Sequence, residues 1–186
     1  MSVLSTLPAG TFNIDPTHSR IGFSVRHAMV TKVRGSFNEF AGSGTVDNGA
    51  ASLHIEITAA TITTSNADRD AHLNSPDFFD TERFPKITFA STSIKDAGAD
   101  KVNVEGNLTI KDVTKPISIE FEFTGTATDP YGNARFGFEG VAEINRKDFG
   151  LTWNAALEAG GVLVSENVKL EFEISAIAAM ATSSSN

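Results

Sequence analysis

Apolar side chains recur at every second position through most of the chain. In the clearest run, Ile117, Ile119, Phe121 and Phe123 alternate with Ser, Glu and Thr. Only an extended strand sorts such residues onto one buried face and one wet face. The same alternation recurs in seven further runs, at residues 21–27, 53–57, 87–89, 102–110, 136–138, 151–153 and 168–174. So many half-buried strands need a larger core than one flat sheet offers.

Turn signals separate these runs. Residues 47–49, 96–98, 129–133 and 159–161 are rich in the Asp, Asn and Gly that are typical of hairpin connections. Strands joined by short turns pair antiparallel, and about eight of them most economically form an up-and-down barrel without exposed edges. The sequence therefore predicts an all-β barrel, with a two-sheet sandwich as the structural alternative.

One segment, near residues 66–74, breaks the strand pattern. It lacks alternation, offers Ser65 or Asn66 as a cap, and carries acids in what would be the first helical turn. We expect a short helix here, outside or across the barrel.

Composition adds an aromatic lining to the predicted barrel. The 186 residues include 14 Phe but one Trp and one Tyr, and most of the Phe residues occupy the inward positions of the runs. The length favours a single domain. Because there is no Cys, disulfides, thiolate metal sites and thiol nucleophiles are excluded.

Charge restricts the class of partner. Fifteen basic against 23 acidic side chains give a formal net charge of −8. This excess of negative charge argues against nucleic acid or an anionic membrane as a partner that contacts a large part of the surface. A local basic pocket could still exist on such a protein. No apolar stretch is long enough to span a membrane. The first ten residues do not have the features of a secretory signal, so we expect a cytoplasmic location.

His27 is the first candidate for chemistry. It shares the inward parity of Phe23 and Val25 at the end of its strand, where a polar ring at the rim of an apolar cavity can orient a ligand head group. The alternative is a core histidine that is hydrogen-bonded to a neighbour. His54 has the outward parity and is expected to be solvated.

The segment Asp68 to His72 holds the second candidates. Arg69 can bind a phosphate or carbonyl oxygen while Asp70 fixes it in place, because the guanidinium fork matches such oxygens. The alternative is a solvated helix face or a structural ion pair. No local pair of His residues suits a metal, and neither a Gly-x-Ser-x-Gly motif nor a nucleotide-binding fingerprint is present, so no metal and no cofactor is predicted.

Several segments together resemble one known family. In order they are residues 14–27 (IDPTHSRIGFSVRH), 34–37 (RGSF), 68–73 (DRDAHL), 77–80 (DFFD), 84–89 (FPKITF), 106–110 (GNLTI), 113–116 (VTKP) and 145–150 (NRKDFG). Their order and spacing resemble the YceI-like, polyisoprenoid-binding proteins. The resemblance divides the chain into an N-terminal extension (1–10), the YceI-like barrel (11–178) and a polar tail (179–186) that is expected to be flexible.

The resemblance implies a lipocalin-like antiparallel barrel whose interior channel holds an isoprenoid or similar lipid. The predicted chain-lining residues are Phe23, Val25, Phe89, Leu108, Ile110, Phe121, Phe123 and Trp153. His27, Arg69, Asp70 and His72 are the positions that the resemblance places near the head group. The resemblance to this family is also compatible with a homodimer.

Three functional hypotheses follow. The leading one is a noncatalytic protein that carries or sequesters an isoprenoid-chain lipid, such as a prenyl phosphate or an isoprenoid quinone. The second is an isomerase or hydrolase of a small apolar substrate, with His27 or Asp70 as general base. The third is a structural or interaction protein whose barrel is filled by its own side chains.

Overall fold

The computed structural model describes residues 2–158 and 160–179. Within them, eleven strands and two α-helices form. In chain order they are α1 (Val3–Thr6), β1 (Gly10–Ile14), β2 (Arg20–His27), β3 (Thr31–Phe37), β4 (Phe40–Asp47), β5 (Ala50–Thr58), β6 (Ile62–Thr63), α2 (Ala67–Asn74), β7 (Lys86–Asp96), β8 (Lys101–Ile110), β9 (Val113–Thr128), β10 (Ala134–Asn145) and β11 (Val164–Ala178). Short 3-10 turns cover Ala59–Thr61 and Arg146–Phe149.

Eight of the strands close into an antiparallel barrel in the order β1-β4-β5-β7-β8-β9-β10-β11. β1 completes the ring because Phe12 pairs with Gly44 of β4 on one side and with Ala178 of β11 on the other. The predicted all-β barrel is therefore confirmed, and the sandwich alternative is wrong. Closure leaves no free edge along the ring.

The remaining strands extend the wall at one end. The long strand β11 pairs with β1 through its last residues and with β2 through its earlier part, where Val168 faces Val25. The β2–β3 hairpin and the short β6 continue from there, and α2 packs against β6. We call this the mouth end of the barrel, and the opposite end, where β1 and α1 lie, the far end.

Alternation along the strands sorts the side chains as predicted. Ile55 of β5 and Ile119 of β9 are each 1% exposed, whereas His54 is exposed to solvent as expected. Phenylalanine rings lie across glycines of the neighbouring strands. A Cβ at Gly140 would lie 2.5 Å from Cδ1 of Phe121, so only glycine leaves room for this ring.

Helix α2 confirms the predicted short helix. It starts after Asn66, whose side-chain oxygen accepts a hydrogen bond from the backbone N–H of Arg69 at 3.0 Å. This is the ordinary N-cap arrangement, which satisfies one of the free N–H groups of the first turn.

The predicted strand at residues 151–153 is wrong. The 3-10 turn Arg146–Phe149 follows β10, and Gly150, with φ of 76°, turns the chain away from the ladder. The carbonyls of Leu151 and Trp153 accept hydrogen bonds from the Arg146 side chain rather than from a neighbouring strand. The segment is thus an irregular loop, which Arg146 holds in place.

The structure describes most of the N-terminal extension but only the first residue of the C-terminal tail. In the N-terminal extension, helix α1 packs on the far end, with Val3 and Leu4 buried and the Leu4 N–H bonded to Asp96 at 3.1 Å. Of the predicted flexible tail, residues 179–186, only Ala179 is among the described residues, so its flexibility stays a prediction.

Candidate functional site

Three cavities follow one another along the barrel. The mouth cavity, of about 140 Å³, opens between β2, β3, α2 and the loop around Trp153. The central cavity, of about 130 Å³, shares Phe23 and Phe78 with it. The far cavity, of about 110 Å³, touches the central cavity at Ile55, and Leu4 and Leu7 at the N-terminus are part of its lining. The barrel therefore contains apolar space from one end to the other.

The central cavity has an almost wholly hydrocarbon wall. Among the described residues that line it, Arg146 is the one charged side chain, and the rest are aliphatic or Phe except for Gly22. Such a wall offers an apolar ligand no competing hydrogen-bond partners. Polar groups gather instead at the mouth cavity, whose lining includes His27, Arg69 and His72.

Arg69 is held by Thr64, the residue that follows β6. Its Nε donates to the Thr64 hydroxyl at 2.7 Å and its Nη2 donates to the Thr64 carbonyl at 2.8 Å. Its Nη1 makes no hydrogen bond with the described residues. The guanidinium is thus fixed on one side and free on the other, at the wall of the mouth cavity.

Asp70 acts behind Arg69 rather than in the cavity. Its Oδ1 accepts from the Thr64 backbone N–H at 2.8 Å and from the Thr64 hydroxyl at 2.6 Å. The Thr64 hydroxyl therefore lies between the two charged side chains, and they make no direct ion pair. Asp70 is not part of the mouth-cavity lining, so it can position Arg69 without touching a ligand.

His72 and Trp153 form the other side of the mouth. Their rings meet edge to face with 4.7 Å between centroids, and Phe78 completes the aromatic group at 5.1 Å from His72. Nε2 of His72 lies 2.8 Å from a carboxylate oxygen of Asp77. The imidazole is thereby oriented, with its face and edge against apolar rings.

His27 lies at the end of β2, where it pairs with Thr31 and Val164. It is partly buried and lines the mouth cavity. Neither ring nitrogen has a hydrogen-bond partner among the described residues. The structure therefore does not bear out the alternative of a core histidine bonded to a neighbour, and it leaves both nitrogens available to a ligand or to water.

Arg146 holds the loop that carries Trp153. This side chain is buried, with the residue 4% exposed, and it donates four hydrogen bonds to backbone carbonyls: those of Leu151, Trp153, Val164 and Ser165. Burial lowers the pKa of its guanidinium, while the carboxylate of Glu166 acts in the opposite direction. Arg146 links the two sides of the loop and so fixes one wall of the mouth.

The predicted chain-lining residues are distributed over the whole barrel. Phe23 and Val25 line both the mouth and central cavities, and Trp153 lines the mouth cavity. Phe89, Leu108 and Ile110 line the central cavity, whereas Phe121 lines the far cavity. Phe123 lines none of the three and packs on Phe138, with 5.3 Å between ring centroids.

Sequence reasoning missed two residues that shape the site. Thr64 has the inward parity of Ile62, and Arg146 has that of Phe136, Phe138 and Ile144. Extending the alternation by one step beyond each strand would have marked both as inward polar residues, which need internal partners when buried. Alternation does not identify their partners, because Arg69 and Asp70 lie on the helix that follows Thr64 and the carbonyls bound by Arg146 belong to an irregular loop and to the start of β11.

The described residues also limit other chemistry. Within ranges 2–158 and 160–179, no three His, Asp or Glu side chains are grouped so as to hold a metal ion. Over the same ranges, no helix combines the length and apolar character needed to cross a membrane.

Comparison with known proteins places this barrel among characterised folds. Residues 12–176 match the family model of the YceI-like domain. UPF0312 protein SAS2572 of Staphylococcus aureus strain MSSA476 is 38% identical over 164 residues, which covers 86% of this chain and 93% of that protein.

Solved structures show the same architecture. The Campylobacter jejuni YCEI protein is 27% identical with a TM-score of 0.72, and the match covers 83% of this chain and 90% of that one. BcnA of Burkholderia cenocepacia has a TM-score of 0.76 at 23% identity, with 87% and 98% covered. A polyisoprenoid binding domain from Saccharophagus degradans, described as implicated in plant cell wall breakdown, has a TM-score of 0.69 at 14% identity, with 90% and 98% covered. Since the family match spans almost the whole barrel, the chain belongs to the YceI-like family.

Proposed function

We propose that this protein binds an isoprenoid-chain lipid without transforming it and thereby carries or sequesters it. The observation that carries the proposal is the row of apolar cavities through the closed barrel, with polar groups collected at the mouth end. Membership of the YceI-like family supports a binding role, and the polyisoprenoid binding domain from Saccharophagus degradans shares the fold.

The energetics favour a long hydrocarbon ligand. A buried methylene contributes about 0.8 kcal/mol, so several isoprene units supply ample binding free energy before ordering costs are deducted. The central cavity offers such a chain contact with Ile, Leu and Phe side chains on all sides. Bulk affinity then comes from the chain, and the head group determines selectivity.

The mouth suits a head group with accepting oxygens. Arg69 has Nη1 free, and both ring nitrogens of His27 are free of partners among the described residues. A monophosphate or a quinone carbonyl can accept from Nη1 of Arg69 and from the ring nitrogen of His27 that carries the proton. The lining of the mouth cavity also includes Arg26, so a pyrophosphate would need both arginines as partners.

The positions of the polar groups favour binding over catalysis. In the alternative hypothesis His27 or Asp70 acts as general base, but Asp70 is occupied by two hydrogen bonds from Thr64 and lies behind Arg69. His27 therefore lacks Asp70 as a proton-transfer partner in the cavity. No specific observation favours the isomerase or hydrolase function, and a completely filled barrel is at odds with the three cavities.

Trp153 provides a direct test. It is the one Trp of the chain and lines the mouth cavity, so head-group binding there should change its fluorescence. Purified protein is titrated with a prenyl monophosphate and with the prenyl alcohol of the same length. We expect both to bind, and Arg69→Ala to weaken the phosphate by about 10–100-fold while leaving the alcohol within about threefold, as the loss of a charge-assisted hydrogen bond predicts.

Two outcomes would contradict the proposal. If neither lipid binds, the channel is not an isoprenoid site. If Arg69→Ala weakens both ligands equally, Arg69 has no head-group role and acts only on the structure of the mouth.

A further inference from the structure

The tip of the β2–β3 hairpin is apolar and exposed. Met29 is 62% exposed and Val30 is 75% exposed, although both are aliphatic side chains in a turn. Met29 lies against Gly161 of the neighbouring loop, where Val162 is also exposed. The backbone at Ala28 and Met29 has positive φ, which residues other than Gly, Asn and Asp rarely adopt. An apolar group thus projects from the mouth end in place of an ordinary polar turn.

Basic side chains cover the outer face of the same hairpin. Arg26 of β2 lies directly opposite Lys32 of β3, and Arg34 and Lys169 flank Ser24 from either side. All four basic side chains are exposed, and none makes an ion pair with a described residue, whereas Ser24 is buried between two of them. Like charges directly opposite each other destabilise a sheet. The arrangement therefore costs stability that an anionic partner would restore.

The inner face of the hairpin belongs to the mouth cavity. Phe23, Val25, His27 and Val33 line it, and Arg26 of the outer face also borders it. One hairpin thus combines a wall of the cavity, a cationic outer face and an apolar tip. A surface that contacts the tip and the cations would lie at the entrance of the cavity.

From this combination we propose that the β2–β3 hairpin docks on an anionic lipid bilayer, with Met29 and Val30 in the interface and Arg26, Lys32 and Arg34 on the head groups. A bilayer interface accepts both kinds of side chain, since apolar residues enter the acyl boundary while cations stay at the anionic head groups. An acidic protein surface would match the cations but would provide no apolar phase for the exposed tip. Docking would present the mouth cavity to the membrane.

The net negative charge of the protein does not oppose this docking. Two acidic side chains of β11 lie nearest the hairpin, and each has a basic partner of its own. Glu171, opposite Gly22 and thus four residues along β2 from Arg26, pairs with Arg20 at 3.4 Å, and Glu166 pairs with Lys147 at 2.6 Å. Four residues span about 13 Å of strand, which exceeds the Debye length at physiological ionic strength, so the remaining repulsion from Glu171 is largely screened at the tip.

Vesicle flotation tests the proposal without any isoprenoid, so its failure would leave the proposed lipid-binding function intact. The intact protein is mixed with vesicles of phosphatidylcholine, either alone or with about 30% phosphatidylglycerol, at low and high salt. We expect flotation with the anionic vesicles at low salt only. Each cation near an anionic surface contributes about fivefold, so the charge reversal Lys32→Glu should reduce binding by at least about tenfold.

Matched variants at the far end are the controls. Lys95→Glu makes the same change in net charge on the exposed end of β7 and should bind within about twofold of the unchanged protein. Val30→Ser should weaken binding, whereas Tyr131→Ser, which removes a 90% exposed ring from the β9–β10 turn at the far end, should not.

Three results would overturn the proposal. They are absence of flotation with anionic vesicles, equal flotation with neutral ones, and an equal loss in Lys95→Glu and Lys32→Glu. A further outcome would assign the basic face to an acidic protein partner instead. In that case the protein does not float with vesicles but binds to immobilised polyglutamate, and Lys32→Glu abolishes this binding.

Discussion

The buried guanidinium of Arg146 donates a hydrogen bond of 2.9 Å to the backbone carbonyl of Trp153. This contact connects the end of β10 with the loop that forms one wall of the mouth cavity. Because the same guanidinium also binds the carbonyls of Val164 and Ser165, it ties the start of β11 to that loop. The position of the indole therefore depends on Arg146.

Replacing Arg146 should release this loop. A lysine at this position cannot reach four carbonyls at once, so Arg146→Lys leaves several of them without a donor. We expect the free energy of unfolding to fall by about 2–4 kcal/mol and the emission of Trp153 to shift toward that of a solvated indole. Chemical denaturation and fluorescence measure the two effects. Arg34→Lys, at an exposed position outside the lining of all three cavities, is the control and should change neither.

Ile55 separates the central cavity from the far cavity, because it lines both. Ile55→Ala should join them and allow longer prenyl chains to bind, at a cost of about 2–5 kcal/mol in stability. Affinities for prenyl alcohols of increasing length measure this effect. Ile119→Ala is the matched control, since Ile119 is equally buried but lines only the central cavity. A similar shift in chain-length preference for both variants would contradict the role of Ile55 as a partition.

Thr64 positions Arg69 through its hydroxyl. Thr64→Val keeps the shape of the side chain but removes both hydroxyl hydrogen bonds, so it should reduce stability by about 1–2 kcal/mol and loosen the guanidinium. We expect weaker binding of a prenyl monophosphate, by less than Arg69→Ala causes, and unchanged binding of the matching alcohol. The control is Thr63→Val at the preceding residue, the last of β6, whose hydroxyl contacts neither Arg69 nor Asp70. An equal loss for the phosphate and the alcohol would mean that Thr64 has only a structural role.

Arg135 joins two carboxylates at the far end, with Asp15 at 2.8 Å and Asp129 at 2.9 Å. The hydrogen bond from Arg135 is the main cause that holds the pKa of Asp15 well below its usual range. Hydrogen bonds from Asn133, assisted by Arg135, lower the pKa of Asp129 to about 2. Depressed carboxyl pKa values stabilise the fold above the unfolded pKa of about 4, and this stabilisation is lost as the pH falls through the folded values.

The stability of the protein should therefore decline between about pH 5 and pH 2, and Arg135→Gln should reduce that decline. Thermal unfolding at several pH values measures both: the variant has the lower Tm at pH 6, and its deficit shrinks as the pH falls. A deficit that stays constant down to pH 2 would show that Arg135 acts through packing alone.

The faces of the strands were predictable from the sequence, whereas depth along the barrel was not. Phe23 and Phe121 share the inward parity, yet one lies at the mouth and the other at the far cavity, because depth depends on strand stagger. Phe123, which is also inward, fills space against Phe138. The strand predicted at residues 151–153 fails because the bonds that shape this loop come from Arg146, whose inward position is visible in the pattern but whose partners are not.

The candidate site was partly predictable in the same sense. His27, Arg69 and His72 converge on the mouth cavity, but their role in ligand binding stays a prediction. The position of Asp70 behind Arg69 could not be foreseen, because it results from the hydroxyl of Thr64, which precedes the helix. The alternation identifies which residues face inward, and the hydrogen bonds between side chains of successive elements, such as those of Thr64 with Arg69 and Asp70, decide which of them a ligand can reach.

Native mass spectrometry of the protein purified from its own host, followed by organic extraction and lipid identification, tests the central claim most directly. The account predicts a bound prenyl lipid or isoprenoid quinone at near-stoichiometric occupancy, and the extracted molecule would identify the head group. A ligand-free protein that also fails to take up long-chain isoprenoids would contradict it.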